Sequence, residues 1–167
     1  SAMRRRYTVD EFADFAMYAD ACIPGLCLGT DVIAGFPGET QKTFDACLET
    51  LNTLPFRYFH VFSYSPRKGT DAAVLKPRVH GRTVADRSRI LKALSREKSR
   101  DFVQRQRDET VTLLTERRID RATVSGWSDN YIKLELNDPE GFAALNEFQK
   151  VRIQDVLGER KASAIPV

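Results

Sequence analysis

Two segments repeat one pattern and constrain this chain more than any other feature: Gly29–Thr40, GTDVIAGFPGET, and His60–Thr70, HVFSYSPRKGT. Each is an apolar, β-prone run that breaks into a turn rich in Gly, Pro or Ser and then hands over to helical spacing. A strand that ends in such a turn and feeds a helix is the unit of parallel α/β folds. Ligands gather at the carboxyl ends of these strands, because backbone N–H groups and helix starts are left free there. The two segments therefore read as neighbouring strands delivering two loops to one site, or equally as ordinary turns of a structural sheet. Spacing alone does not separate the two.

The chain has 167 residues, enough for one domain of ordinary size or two small ones. Charge or Gly interrupts every apolar run well before a spanning length, which predicts no transmembrane helix, no membrane partner and a cytoplasmic protein. Ser1-Ala2-Met3 reads as an artificial leader rather than a targeting signal. Cys22, Cys27 and Cys47 are odd in number and contain no C-x-x-C, so they are expected to be reduced, buried and without metal. Net charge is only +3, yet between Arg78 and Arg107 ten Lys/Arg stand against three acids. Such an excess suits a polyanion, or belongs to a solvated helix.

Taken in order, Thr8 and Glu11 form a capping-box pattern ahead of a helix whose apolar side is expected at Phe12, Phe15, Ala16, Ala19 and Ile23. Leu26–Ile33 is the first expected strand, apolar enough to be covered on both faces, with Asp31 costly unless paired or set at a ligand. Thr40 caps a helix over Gln41–Leu54, with Phe44, Cys47, Leu48 and Leu51 buried. Phe56–Tyr64 is the second strand, and Ser63–Thr70 a loop able to offer hydroxyls and cations to phosphate or carboxylate. Thr83–Arg107 reads as one long basic helix.

From Asp108 the period changes. Glu109–Thr115, Arg121–Ser125, Tyr131–Leu136 and Lys150–Val156 are short alternating strands separated by turn signals, the pattern of a small antiparallel barrel. Trp127, Tyr131, Lys133, Lys150 and Arg152 are expected on its outside, where aromatics interleaved with cations stack and neutralise RNA. The expected architecture is α/β: residues 1–107 a part of a (β/α) barrel ending in the basic helix, residues 108–167 a small antiparallel β-barrel.

YTVDEF, IPGLCLGTDVIAGFPGET, HVFSYSPRKGTDAA, RSRILKALS, SGWSDNYIKLEL and FQKVRI together make the chain resemble, in order and over nearly its whole length, the C-terminal half of a radical-SAM methylthiotransferase. The terminal barrel resembles that family's TRAM domain, an OB-like RNA-binding module. The resemblance implies a partial radical-SAM barrel that binds S-adenosylmethionine on a [4Fe–4S] cluster, a second [4Fe–4S] cluster in an N-terminal domain, and tRNA as partner. It places Ile33, Gly35, Phe62, Tyr64 and Ser65 at the S-adenosylmethionine site. Glu39 and Arg67 take catalytic positions, with Thr70 at the same mouth, and Lys68 joins the RNA-binding residues.

The chain departs from the family in lacking the C-x-x-x-C-x-x-C loop. Three thiolates hold such a cluster, so no metal or cofactor is expected on this chain, and as a fragment it is expected to be inactive. Arg67, Lys68 and the basic helix favour a tRNA substrate, modified adenosine 37 with a threonylcarbamoyl group foremost. The other readings are an isopentenyladenosine-tRNA or ribosomal-protein methylthiotransferase fragment, and a non-catalytic RNA-binding protein. An unpaired sheet edge is expected to support self-association.

Overall fold

The computed structural model describes residues 3, 5–141 and 143–167. Ser1 and Ala2 of the expected leader, and Arg4, lie outside them. The chain forms two compact units, 1–24 with 28–95 and 25–27 with 96–167.

In the first unit α1 (Val9–Cys22) starts at Thr8, whose Oγ1 accepts the Glu11 N–H at 3.1 Å while the Glu11 carboxylate accepts the Thr8 N–H at 2.7 Å. Phe12, Ala13 and Ala16 pack on the core; Phe15 is 65% exposed, against expectation. The reason is angular: Phe12 and Ala16 share a face, and Phe15 sits about 100° round from Ala16.

β1 (Gly29–Ala34) and β2 (Tyr58–Ser63) pair in parallel, from Gly29 beside Tyr58 to Ala34 beside Ser63. Val32, Ala34 and Phe59 are buried with α2 (Gln41–Thr53) and Leu91. Asp31, Ile33, His60 and Phe62 alternate with them and are exposed. The expectation of a strand covered on both sides thus fails: the described helices of this unit cover one face, and the period of two turns the other outward. Phe44 and Leu51 of α2 are buried as their spacing predicts. Cys47 and Cys22 are exposed and Cys27 half-buried, none in a disulfide, so burial of the cysteines does not hold.

A 3₁₀ turn at Asp71–Val74 leads towards α3 (Gly81–Arg105), whose residues through Ser95 belong to the first unit and the rest to the second. No helix among the described residues is long and apolar enough to cross a membrane.

The second unit is a closed five-stranded barrel in the order β3-β4-β5-β7-β6, built from β3 (Thr110–Arg118), β4 (Thr123–Ser128), β5 (Lys133–Asn137), β6 (Phe148–Gly158) and β7 (Lys161–Pro166). Its core comprises alternating residues such as Leu113, Val124, Leu134, Leu136, Val151 and Ile153, together with Phe102 and Val103 of α3. β5 and β7 run parallel, so the barrel is mixed rather than wholly antiparallel, and β7 is a strand beyond the four expected. Gly126 is required where β3 and β4 close in, since a Cβ there would lie 1.8 Å from the Leu114 carbonyl oxygen.

Candidate functional site

The carboxyl ends of β1 and β2 carry the site. After Ala34 the chain turns at Gly35, with φ of +80° and room for no side chain: a Cβ would meet Val84 Cγ2 at 2.4 Å. The Gly35 N–H donates to both carboxylate oxygens of Glu39, at 3.1 and 3.2 Å. Glu39 Oε1 in turn accepts from Arg87 Nη1 at 2.5 Å, and Arg87 Nη2 donates to Gln41 Oε1 at 3.3 Å. Arg87 lies over the Phe44 ring, 5.1 Å from its centroid, and is only 5% exposed. The turn is therefore fastened by a nearly buried ion pair. One residue further along α3, the Ser88 hydroxyl meets that of Ser63 at 3.0 Å, tying the end of β2 to the same helix.

Tyr64 continues β2 out of the sheet. Its N–H donates to Ala34 O at 2.8 Å, its hydroxyl to Ala72 O at 2.8 Å, and its ring packs edge-on against Phe36 at 5.4 Å. It lines two cavities. One, of about 420 Å³, opens on the exposed sheet face and includes Arg5, Asp31, Ile33, Phe62, Ser65 and Arg67. The other, of about 290 Å³, includes Gly35, Ser63, Arg78 and Val84. Thr70 Oγ1 donates to Arg67 O at 2.8 Å, which closes the loop that carries Arg67 and Lys68.

Of the residues assigned to the site from sequence, Ile33, Phe62, Tyr64, Ser65, Arg67 and Thr70 line the larger cavity and Gly35 the smaller. Glu39 lines neither, its carboxylate being engaged by Gly35 and Arg87. Lys68 is exposed on the neighbouring loop. Arg5 and Arg87 carry no local signal of these positions: Arg5 is one of three successive arginines near the start, and Arg87 one cation of ten between Arg78 and Arg107.

On the barrel, register aligns five residues across five strands. Phe148 of β6 lies beside Leu114 of β3, Leu114 beside Trp127 of β4, Trp127 beside Lys133 of β5, and Lys133 beside Lys161 of β7. Phe148 is 75% exposed, and the Lys133 ammonium sits 5.6 Å from the Trp127 ring centroid. Lys150 and Arg152 follow Phe148 at steps of two and share its outward face. Trp127, Lys133, Lys150 and Arg152 are thus gathered on one outer surface. Tyr131 is not in that row; it is an exposed turn residue with φ of +60°. Phe148 opens β6 two residues ahead of the expected strand Lys150–Val156, outside the alternation that marks that strand. From Asp108 onwards eight Lys/Arg stand against eleven Asp/Glu, so any polyanion affinity of this unit rests on local arrangement and stacking rather than net charge.

No group of three His, Cys, Asp or Glu among the described residues could hold a metal ion. The residues present do not fit an iron–sulfur cluster.

A turn held at the end of a parallel strand pair, beside a cavity with an apolar face and charged rim, stands where ligands gather in parallel α/β folds. No family model matches the chain. Its relatives are enzymes. It is 37% identical over 153 residues, 92% of the chain, to a Methanocaldococcus jannaschii protein named as a probable threonylcarbamoyladenosine tRNA methylthiotransferase. It is 32% identical over 155 residues to the threonylcarbamoyladenosine tRNA methylthiotransferase of Bacillus subtilis, and 31% over 156 to the tRNA-2-methylthio-N(6)-dimethylallyladenosine synthase of Aliarcobacter butzleri. These matches place the chain in the methylthiotransferase family. Relatives with threonylcarbamoyladenosine and with dimethylallyladenosine in their names are both among the matches, and the chain spans about a third of the length of these three (34%, 34% and 35%).

Proposed function

We propose that the chain is the C-terminal portion of a cytoplasmic radical-SAM methylthiotransferase that adds a methylthio group to a modified adenosine 37 of tRNA. The observation that carries this is the pairing of two surfaces in one chain: a strand-end cavity faced by Ile33, Phe62 and Tyr64, and a barrel with an exposed aromatic–cationic row. In this reading the apolar face at Ile33 and Phe62, with Tyr64 and Ser65, seats the adenosine of S-adenosylmethionine, which supplies the radical chemistry when bound to a cluster held elsewhere in the longer protein. Gly35 and Glu39 keep the turn in place, so Glu39 is a positioning residue. Arg67 faces the reacting groups.

The barrel is a TRAM-like RNA-binding module, and Lys68 is a further RNA-binding residue. Lacking cluster ligands, the chain by itself turns nothing over. Self-association through an edge of the two-stranded sheet belongs to the same reading, although the Ser95 hydroxyl of α3 already engages the Phe59 N–H and carbonyl of β2. A tRNA titration of the chain at two salt concentrations tests the reading. Binding that weakens as salt rises, by the release of counterions from neutralised phosphates, is expected. Absence of binding at low salt would move recognition out of this chain and reopen a protein substrate. The barrel row also favours a second reading, a non-catalytic RNA binder; that protein would bind tRNA but no adenosine ligand.

A further inference from the structure

Positive charge in this chain is gathered on α3. Between Arg78 and Arg107 cations outnumber acids ten to three, whereas from Asp108 onwards acids outnumber cations. At about 100° per residue, Arg89, Lys92, Arg96 and Arg100 fall within about 80° of Arg82 on one side of the helix. All are exposed, and they follow one another over about 27 Å of helix axis. Asp86, Glu97 and Asp101 lie outside that arc, about 40° to 100° round from Arg82 in the opposite sense.

A helix face that needs only water interleaves charges of opposite sign at spacings of three and four. This arc does the reverse. Arg89 and Lys92, Lys92 and Arg96, and Arg96 and Arg100 are like-charged neighbours at those spacings, and they repel. Among the described residues Arg82, Lys92 and Arg100 form no ion pair. Arg89 meets Asp86, and Arg96 reaches Glu159 at 3.6 Å, yet their side chains stay 75% and 52% exposed. An anion set between neighbouring cations relieves the repulsion, and a polyanion relieves it along the whole row. All but Lys92 are arginines, whose planar forks take two oxygens of one phosphate. The arc holds no aromatic side chain, so a base has nothing there to stack on. Its chemistry is contact with phosphates in a fixed array, the way double-helical RNA is bound, by shape and backbone.

We propose that this arc of α3 binds the phosphate backbone of a paired RNA stem. The stem is the tRNA's in the methylthiotransferase reading, on which the proposal rests.

The test is filter binding of the whole chain at several salt concentrations to two RNAs of equal length. One is a hairpin that is nearly all paired stem, the other an unstructured strand. Arg82→Gln combined with Arg89→Gln and Lys92→Gln removes part of the arc. Lys42→Gln combined with Lys76→Gln and Arg121→Gln removes the same charge from exposed positions elsewhere. Glutamine favours helix, and circular dichroism checks that α3 persists. Each lost phosphate contact takes about 0.7–0.9 from the slope of log affinity against log salt. The arc variant is therefore expected to flatten the hairpin slope by about two to three, with a much smaller change on the unstructured strand. The charge-matched variant should leave both near the parent. An equal loss in the charge-matched variant, an equal loss on both RNAs, or polyglutamate competing as well as the hairpin overturns the proposal. A hairpin slope untouched in the arc variant overturns it alone and leaves the tRNA reading standing. Failure of the parent to bind either RNA overturns both.

Discussion

The guanidinium of Arg87 and the carboxylate of Glu39 meet at 2.5 Å across 48 residues of chain, with side-chain exposures of 7% and 15%. Glu39 spends its other contacts on the Gly35 N–H, so a residue far along α3 fixes the turn that ends β1. Removing one partner leaves the other charged and nearly buried, a cost of about 3–5 kcal/mol in comparable pairs. Glu39→Gln and Arg87→Met are each expected to lower the urea midpoint of the chain and to speed hydrogen exchange at the Gly35 amide. The double variant should recover much of the loss, because it strands no charge. Additive losses would show that the two side chains act separately.

The barrel row makes a second prediction. Phe148→Ala and Trp127→Ala should each weaken tRNA binding by about 1–3 kcal/mol, the worth of one base stacked on an aromatic ring. Both should leave the dependence on salt nearly unchanged, since no phosphate contact is lost. Lys133→Gln with Lys150→Gln should do the reverse, weakening binding and flattening the salt slope. Filter binding at several salt concentrations reads both. A Phe148→Ala variant that binds like the parent would remove that ring from the interface.

The α1 cap responds to acid. Bonds from the Thr8 backbone N–H, and then from its hydroxyl, lower the Glu11 pKa below its ordinary 4.5. A group whose folded pKa is depressed stabilises above its unfolded pKa and loses that contribution as pH falls through the folded value. Protection of the α1 amides should therefore be steady from neutrality down to about pH 4.5 and fall below it. Glu11→Gln should flatten that dependence. Hydrogen exchange across the acid range checks it; an unchanged profile in the variant would assign the titration to another carboxylate.

Turn chemistry made the first half legible. GFPGET needs a positive-φ glycine and offers Thr40 as a cap, and both are found, with β1 before them and α2 after. Ser65, Arg67 and Thr70 reach the cavity because they follow the second strand by the same rule. Side-chain direction was less legible. Phe15 falls within the expected apolar stripe of α1 by helical spacing, but the helix turns it out. Cys47 fits the α2 stripe yet is exposed while Phe44 and Leu51 are covered.

β7 was invisible because KASAIP alternates only alanines inward, too weak an apolar signal to stand out. The Arg87–Glu39 pair left no local trace at all, since only the packing of α3 on the sheet brings them together.

The central claim is that this chain is the tRNA- and adenosine-binding portion of a methylthiotransferase. Its most direct test is a chimera in which the chain replaces the matching segment of the Bacillus subtilis relative, expressed in cells lacking that enzyme. Mass spectrometry of the tRNA nucleosides then looks for the methylthio product. Recovery of 2-methylthio-threonylcarbamoyladenosine, abolished by Arg67→Gln in the same chimera, is the predicted result. A folded, tRNA-binding chimera that forms no methylthio nucleoside would contradict it.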